Sequence, residues 1–209
     1  MKLYDHTAAP NPRRARIFAA EKSIAIELVQ VALHAREQFS AEFTRLNPAN
    51  TVPVLQLDDG RTISENVGIA RYLEEMQPEP PLLGRDAYEK AQVASWNGRI
   101  ENDGLGAISE CFRNSHQDFA NRGVTGRLAC EQIPALVQRG RARTRAFLQE
   151  LDGHLAQTDY ICGGAFTLAD ISALVAIDFA GWIGITIESG QAHLRRWYAQ
   201  VSTRPSAKA

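Results

Sequence analysis

A proline-rich break, Gln77-Pro78-Glu79-Pro80-Pro81, constrains this chain more than any other feature. Each proline lacks an N–H and pushes the residue before it toward extended backbone, so three prolines in five residues interrupt any helix or central strand. The hydrophobic pattern also changes there. Before the break, strand and helix signals alternate; after it, no convincing strand pair appears and the segments read as helices. The 209 residues are therefore expected to form two domains: an α/β domain over 1–78 and an all-α domain over 86–209, joined by a linker at 79–85.

In the first part, Lys2 to Asp5 predicts a short strand. Ala8-Ala9-Pro10-Asn11-Pro12 predicts a turn, with Pro12 suited to the first turn of a helix. Ala15, Ile17, Phe18 and Ala19 give that helix an apolar face, ending near Lys22. Ile24 to Val31 is rich in β-branched residues and predicts a second strand. Ser40 is placed to cap a short helix reaching Leu46. Val52 to Leu57 leads into Asp59-Gly60, a strong hairpin signal, and Thr62-Ile63 forms the return strand. A helix over Glu65 to Met76 completes a βαβαββα order. The second part predicts helices over 86–104, 105–121, 131–151, 167–180 and 191–203. Pro134 is tolerated because it falls in a first turn, and Arg139, Arg141 and Arg143 read as a solvated face.

Composition narrows the function. A formal net charge of -1 creates no general field for nucleic acid or anionic membranes. No run approaches the roughly 18 apolar residues of a membrane span, and the N-terminus lacks the apolar core of a secretory leader. The three cysteines, Cys111, Cys130 and Cys162, form neither CxxC nor a zinc spacing, which fits a reducing compartment, the cytoplasm. The histidines include no HExxH, so no metal site is expected.

Leu46-Asn-Pro-Ala-Asn-Thr-Val-Pro-Val-Leu, Asp58-Asp-Gly and Ile63-Ser-Glu-Asn-Val-Gly-Ile-Ala-Arg-Tyr-Leu resemble the cytosolic glutathione transferase superfamily. Phe166-Thr-Leu-Ala-Asp-Ile and Arg195-Arg-Trp-Tyr, followed by Arg204-Pro-Ser, extend the resemblance over nearly the whole chain. It implies a thioredoxin-like domain followed by a helical bundle, a homodimer, and glutathione as co-substrate with no other cofactor. It also implies a cis Val52-Pro53 bond, with the Val52 backbone pairing with the cysteinyl unit of glutathione. Ser64 and Glu65 would receive the γ-glutamyl end, with Asn66 beside them. Ser64 is otherwise simply an N-cap. Gln38 would contact the glycyl carboxylate, its bland reading being a loop glutamine. Thr51 stands where relatives often carry Lys or Gln, and Arg36 is a candidate to compensate. Asp103 matches an acidic position that reaches the partner subunit's glutathione amine, or is a surface carboxylate. Thr167 to Asp170 is a capping box and reads as structural.

The reaction needs a thiolate near neutral pH, whereas a free thiol titrates at about 8.5. Relatives hydrogen-bond the glutathione sulfur from a Ser, Tyr or Cys near the end of the first strand. This chain has Ala9 at the usual serine position, and Asn11 at the position used by one cysteine-dependent class. Asn11 is the candidate catalytic donor, resembling a bacterial subgroup with Thr-Pro-Asn here; it could also merely cap the helix. Thr7 and Tyr4 are weaker alternatives. The electrophile pocket is expected between the domains, lined by Ile100, Leu105, Ile108, Phe112, Trp182 and Ile183, unless these are simply core. The resemblance implies conjugation of glutathione to an apolar electrophile. Glutathione-dependent disulfide reduction, isomerisation and a non-catalytic binding module remain alternatives.

Overall fold

The computed structural model describes all 209 residues, and the chain divides into two compact units. Unit one holds Met1–Pro80 with the short segments Thr125–Leu128 and Lys208–Ala209; unit two holds Pro81–Val124 and Ala129–Ala207. Unit one contains four strands: β1 (Lys2–Asp5), β2 (Glu27–Gln30), β3 (Val54–Gln56) and β4 (Thr62–Ser64). They order as β2-β1-β3-β4, with β1 parallel to β2 and both other pairs antiparallel. Helices α1 (Pro10–Glu21), α2 (Ala41–Leu46) and α3 (Asn66–Met76) complete the βαβαββα order of a thioredoxin-like domain.

Alternation along the strands divides the core of this unit into two faces. Leu3, Leu55 and Ile63 form one row across the sheet. A methyl group added at Gly68 of α3 would touch the Ile63 side chain at 3.3 Å, so α3 lies against this face. α1 packs beside α3, burying Ile17, Phe18, Ile69 and Leu73. On the other face Tyr4 and Val54 pack with Val31 and Phe43 of α2, the Tyr4 and Phe43 rings meeting edge to face. Ser40 caps α2 as expected, its hydroxyl accepting from the Phe43 N–H at 3.1 Å. The Asp59-Gly60 turn closes β3 onto β4, with Gly60 at φ 88°.

One charge in this unit is fully buried without being part of the candidate site. The Lys22 ammonium, just past α1, pairs with Glu74 of α3 at 2.5 Å and donates to the carbonyls of Pro78 and Pro80. It thereby ties the proline-rich break to the ends of both helices.

Unit two is helical: α4 (Ala87–Arg99), α5 (Ala107–Ser115), α6 (Pro134–Leu155), α7 (Leu168–Ala180) and α8 (Ala192–Ser202). Asp86 caps α4 by accepting from the Glu89 N–H at 2.9 Å. Two helices were expected over 86–104 and 105–121. The structure instead runs α4 into α5 through a π-helical segment, Ile100–Gly106, and ends α5 at Ser115. The backbone of α6 approaches α5 closely, because a methyl group at Gly140 would stand 2.6 Å from the Ala107 carbonyl. α7 is buried over nearly its whole length. At its start Asp170 accepts from the Thr167 N–H, the Thr167 hydroxyl, the Ile161 N–H and the Trp197 indole. Burial raises the Asp170 carboxyl above its ordinary range, against the pull of these donors. No helix is long and apolar enough to cross a membrane.

Candidate functional site

The register of the sheet brings the candidate residues of unit one to one end. Tyr4, Val54 and Ser64 form a single row across β1, β3 and β4, and Asp5 stands opposite Gln30 at the ends of β1 and β2. The loop from β1 to α1, the Val52-Pro53 approach to β3 and the exit of β4 into α3 all leave this end. So does the segment after β2 that carries Gln38.

The loop after β1 is held by a polar network that is buried at Asp5 and Arg16 and exposed at Thr7. Arg16 of α1 pairs with Asp5 and donates to the Thr7 carbonyl at 3.0 Å. Gln30 donates to the second Asp5 oxygen at 2.6 Å and accepts from both the Thr7 N–H and its hydroxyl, at 3.0 and 2.9 Å. A carbonyl can only accept, so His6 Nδ1 carries the proton that it shares with the Val31 oxygen at 2.9 Å. These contacts commit the Thr7 hydroxyl. The Tyr4 hydroxyl is also committed, to Gln56 Oε1 at 3.2 Å.

Asn11 lies within the first turn of α1, which begins at Pro10. It does not cap the helix: Ala9 occupies the N-cap position and offers no side-chain acceptor. Asn11 is exposed, and its Oδ1 accepts from Arg14 Nη1 at 3.4 Å. Because a guanidinium only donates, this contact sets the amide orientation and turns Nδ2 away from Arg14.

Val52-Pro53 is cis. Neither the N–H nor the C=O of Val52 enters a backbone hydrogen bond, so this half-buried residue offers one donor and one acceptor beyond the end of β3. Two asparagines that sequence reasoning missed hold the approach to it. Asn47 donates to the carbonyl and hydroxyl of Thr51 at 2.9 and 3.0 Å. Asn50, at φ 57°, donates to the Gln38 carbonyl at 2.6 Å and to the Thr44 hydroxyl at 2.8 Å. The tolerance of asparagine for left-handed backbone was the available signal. Gln38 itself is buried in a short 3₁₀ turn, and its Oε1 has no hydrogen-bond partner. Arg36 is exposed nearby in sequence at φ 61°.

Ser64 is not the N-cap of α3. It ends β4, paired with Val54, and Glu65 takes the cap position at φ 66° and ψ 136°. That conformation is costly for a residue with a Cβ. It leaves the Glu65 side chain exposed and buries Asn66, whose Oδ1 has no partner. The first internal bond of the helix runs from the Ile69 N–H to the Glu65 carbonyl, so the N–H groups of residues 66 to 68 stand free of intrahelical partners. Such a terminus suits a carboxylate.

In unit two, Asp103 sits in the π segment and pairs with Arg143 of α6 at 3.0 Å. Arg139 forms a two-pronged pair with Glu110, holding that carboxyl below the ordinary glutamate range. The expected solvated face at Arg139 and Arg143 also carries ion pairs, with Arg139 remaining largely exposed. Of the expected pocket residues, Ile100, Leu105, Ile108 and Ile183 are buried in the helical core. Phe112 and the half-exposed Trp182 remain accessible, in an edge-to-face aromatic group with Phe119 and Phe179. Burial pushes the Cys111 thiol up and the Cys162 thiol to about 12, so both stay protonated at neutral pH. No three His, Cys, Asp or Glu side chains converge as a metal-binding group.

The sequence matches the family model described as glutathione S-transferase, N-terminal domain, over residues 8–76, and that of the C-terminal domain over residues 106–205. The chain belongs to the glutathione S-transferase family. Glutathione S-transferase 2 of Saccharomyces cerevisiae is 31% identical to this transferase over 210 residues, covering 100% of this chain and 88% of the yeast protein. The crystal structure of Gtt2 from the same organism superposes with a TM-score of 0.91 at 30% identity, covering 100% of this chain and 99% of the other. A glutathione S-transferase domain-containing protein from Marinobacter aquaeolei VT8 gives the same TM-score at 32% identity, covering 99% of each chain. These full-length likenesses make the chain an enzyme of the transferase family, with a thioredoxin-like domain and a helical domain.

Proposed function

We propose that this transferase binds glutathione at the open end of its sheet and activates the thiol with Asn11 for attack on an apolar electrophile. Residues 1–78 would form the glutathione domain, and 86–209, beyond the linker at 79–85, the electrophile domain. One observation carries the reading. The Tyr4 and Thr7 hydroxyls are already committed, Ala9 has none to give, and the Asn11 Nδ2 faces away from its own partner. In the assigned roles, Val52 pairs its N–H and C=O with the cysteinyl unit, while Pro53 fixes the chain beyond it. Ser64, Glu65 and the free N–H groups of α3 receive the γ-glutamyl end. Gln38 donates its amide to the glycyl carboxylate. Asp103 reaches a partner subunit's glutathione in a homodimer only if it leaves Arg143.

The chemistry is a displacement or addition. The glutathione sulfur loses its proton to solvent, donates a pair to an electrophilic carbon, and any leaving group departs with its bonding pair. Phe112 and Trp182 offer the accessible apolar surface for such a substrate. A cytoplasmic location and a detoxifying role are part of the same reading.

The test is an ultraviolet titration of the thiolate of bound glutathione, in the wild type and in Asn11→Ala. A pKa well below about 8.5 that relaxes in the variant supports the reading; an unshifted value in the wild type overturns it. Turnover of a small mixed disulfide in place of an aryl halide would assign the same site to disulfide reduction. The absence of both activities would favour a binding module, which the missing side-chain donor at Ala9 makes the second reading. Light scattering that finds only monomer would remove the homodimer and the role of Asp103.

A further inference from the structure

Arg14 is almost wholly buried in α1, yet its guanidinium reaches the exposed Asn11 one helical turn earlier. Burying a guanidinium is costly, and a buried cation that spends one of its donors on a surface amide constrains that amide. An unrestrained asparagine side chain has two amide orientations of similar energy, and in one of them an oxygen would face the sulfur of bound glutathione. A thiolate repels that oxygen and is stabilised by the N–H. Arg14 removes the wrong orientation, since only Oδ1 can accept from it. Polarisation through the amide also makes the outward N–H a stronger donor.

We propose that Arg14 is a positioning residue for thiol activation, holding Asn11 with Nδ2 toward the sulfur. The inference rests on the reading of Asn11 as the sulfur's donor. It assigns Arg14 no contact with glutathione.

The experiment is a double-mutant cycle over Arg14→Met and Asn11→Ala, read by the pKa of the bound thiol and by the pH profile of kcat/KM. Thermal melts are run in parallel. In the Asn11 background, Arg14→Met raises the bound thiol pKa by about one unit and lowers kcat/KM roughly tenfold below that pKa. In the Asn11→Ala background, the same replacement has little further effect. Arg14→Lys, which keeps a donor, recovers part of the shift. A rise of equal size in both backgrounds overturns the proposal, because Arg14 would then act as an independent charge. No change in either background overturns it as well. If Asn11→Ala itself leaves the thiol unshifted, the reading of Asn11 fails, and that outcome is distinct from the failure of Arg14. Should Arg14→Met not fold, Arg14→Lys with selective ¹⁵N labelling of the Asn11 amide decides. Increased mobility of that amide with a raised thiol pKa upholds positioning; an unchanged amide overturns it.

Discussion

Arg16 and Asp5 form a buried ion pair beneath the loop that leads into α1 and Asn11, and Arg16 simultaneously donates to the carbonyl of Thr7 within that loop. The pair fastens α1 to β1 while leaving the loop's outer face open. Removing one partner strands the other charge in the interior, at a cost of about 3–5 kcal/mol. Arg16→Met is therefore expected to shift the urea midpoint strongly. Asp5→Leu combined with Arg16→Met should cost less than the sum of the two single changes. Additive losses would show that the two groups do not depend on each other.

Glu65 holds positive φ without being glycine, at the point where β4 becomes α3. Glycine meets this backbone without Cβ strain, so Glu65→Gly is expected to stabilise the fold by about 1 kcal/mol. It should at the same time raise KM for glutathione, because the side chain and the fixed exit from β4 are both lost. A thermal melt and a glutathione saturation curve on the same sample check the two halves of this trade.

Gln38 buries an amide oxygen that nothing inside the protein satisfies. Replacing the side chain by methionine of similar shape removes an unmet acceptor, so stability should change by less than about 1 kcal/mol or improve. The KM for glutathione should nevertheless rise, by roughly tenfold for one lost hydrogen bond to a charged group. A large loss of stability with unchanged KM would place Gln38 in the scaffold alone.

The Glu110–Arg139 pair sets a pH dependence of defined sign. The folded state holds the Glu110 carboxyl below its ordinary value of 4.5, chiefly through the hydrogen bonds from Arg139. The unfolded chain therefore takes up this proton first as pH falls. The pair's contribution is complete above the ordinary value and disappears as pH drops through the lowered one. With Arg139 largely exposed, solvent screening keeps the effect small. Glu110→Gln should flatten the acid limb of the stability curve, with its effect largest at neutral pH and shrinking as the medium becomes more acid. Urea melts at pH 7 and pH 3.5 measure the difference.

Much of this architecture was legible in local chemistry. The proline break, the change of hydrophobic period, the Asp59-Gly60 turn and the Ser40 cap each follow from one residue type acting on nearby backbone. Other features were not local. Ser64 looks like a helix cap until its pairing with Val54 keeps it in the sheet, which moves the cap to Glu65. Asn11 looks like a cap until Pro10, the residue before it, opens the helix. Asn47 and Asn50 shape the approach to Val52 through side-chain bonds to distant backbone, which no periodicity records. The isoleucines expected along a pocket are apolar in sequence whether they face a substrate or the core, and burial assigned Ile100, Ile108 and Ile183 to the core.

The π segment between α4 and α5 has a consequence for how this fold tolerates change. Each of its hydrogen bonds encloses one residue more than an α-helical bond does. The rod that runs from Ala87 to Ser115 therefore carries surplus length at Ile100–Gly106 without a break in its axis. Loss of that surplus residue would let the segment close to ordinary α-helical winding, whereas loss of a residue elsewhere along the rod would rotate everything beyond it. Such a loss would turn Glu110, whose partner is Arg139, and Ala107, whose carbonyl meets α6 at Gly140, out of register. The segment works as a phase adjuster: it absorbs a surplus residue while keeping the side of α5 that faces α6, and a lineage that lost a residue from α5 itself would have to rebuild that seam.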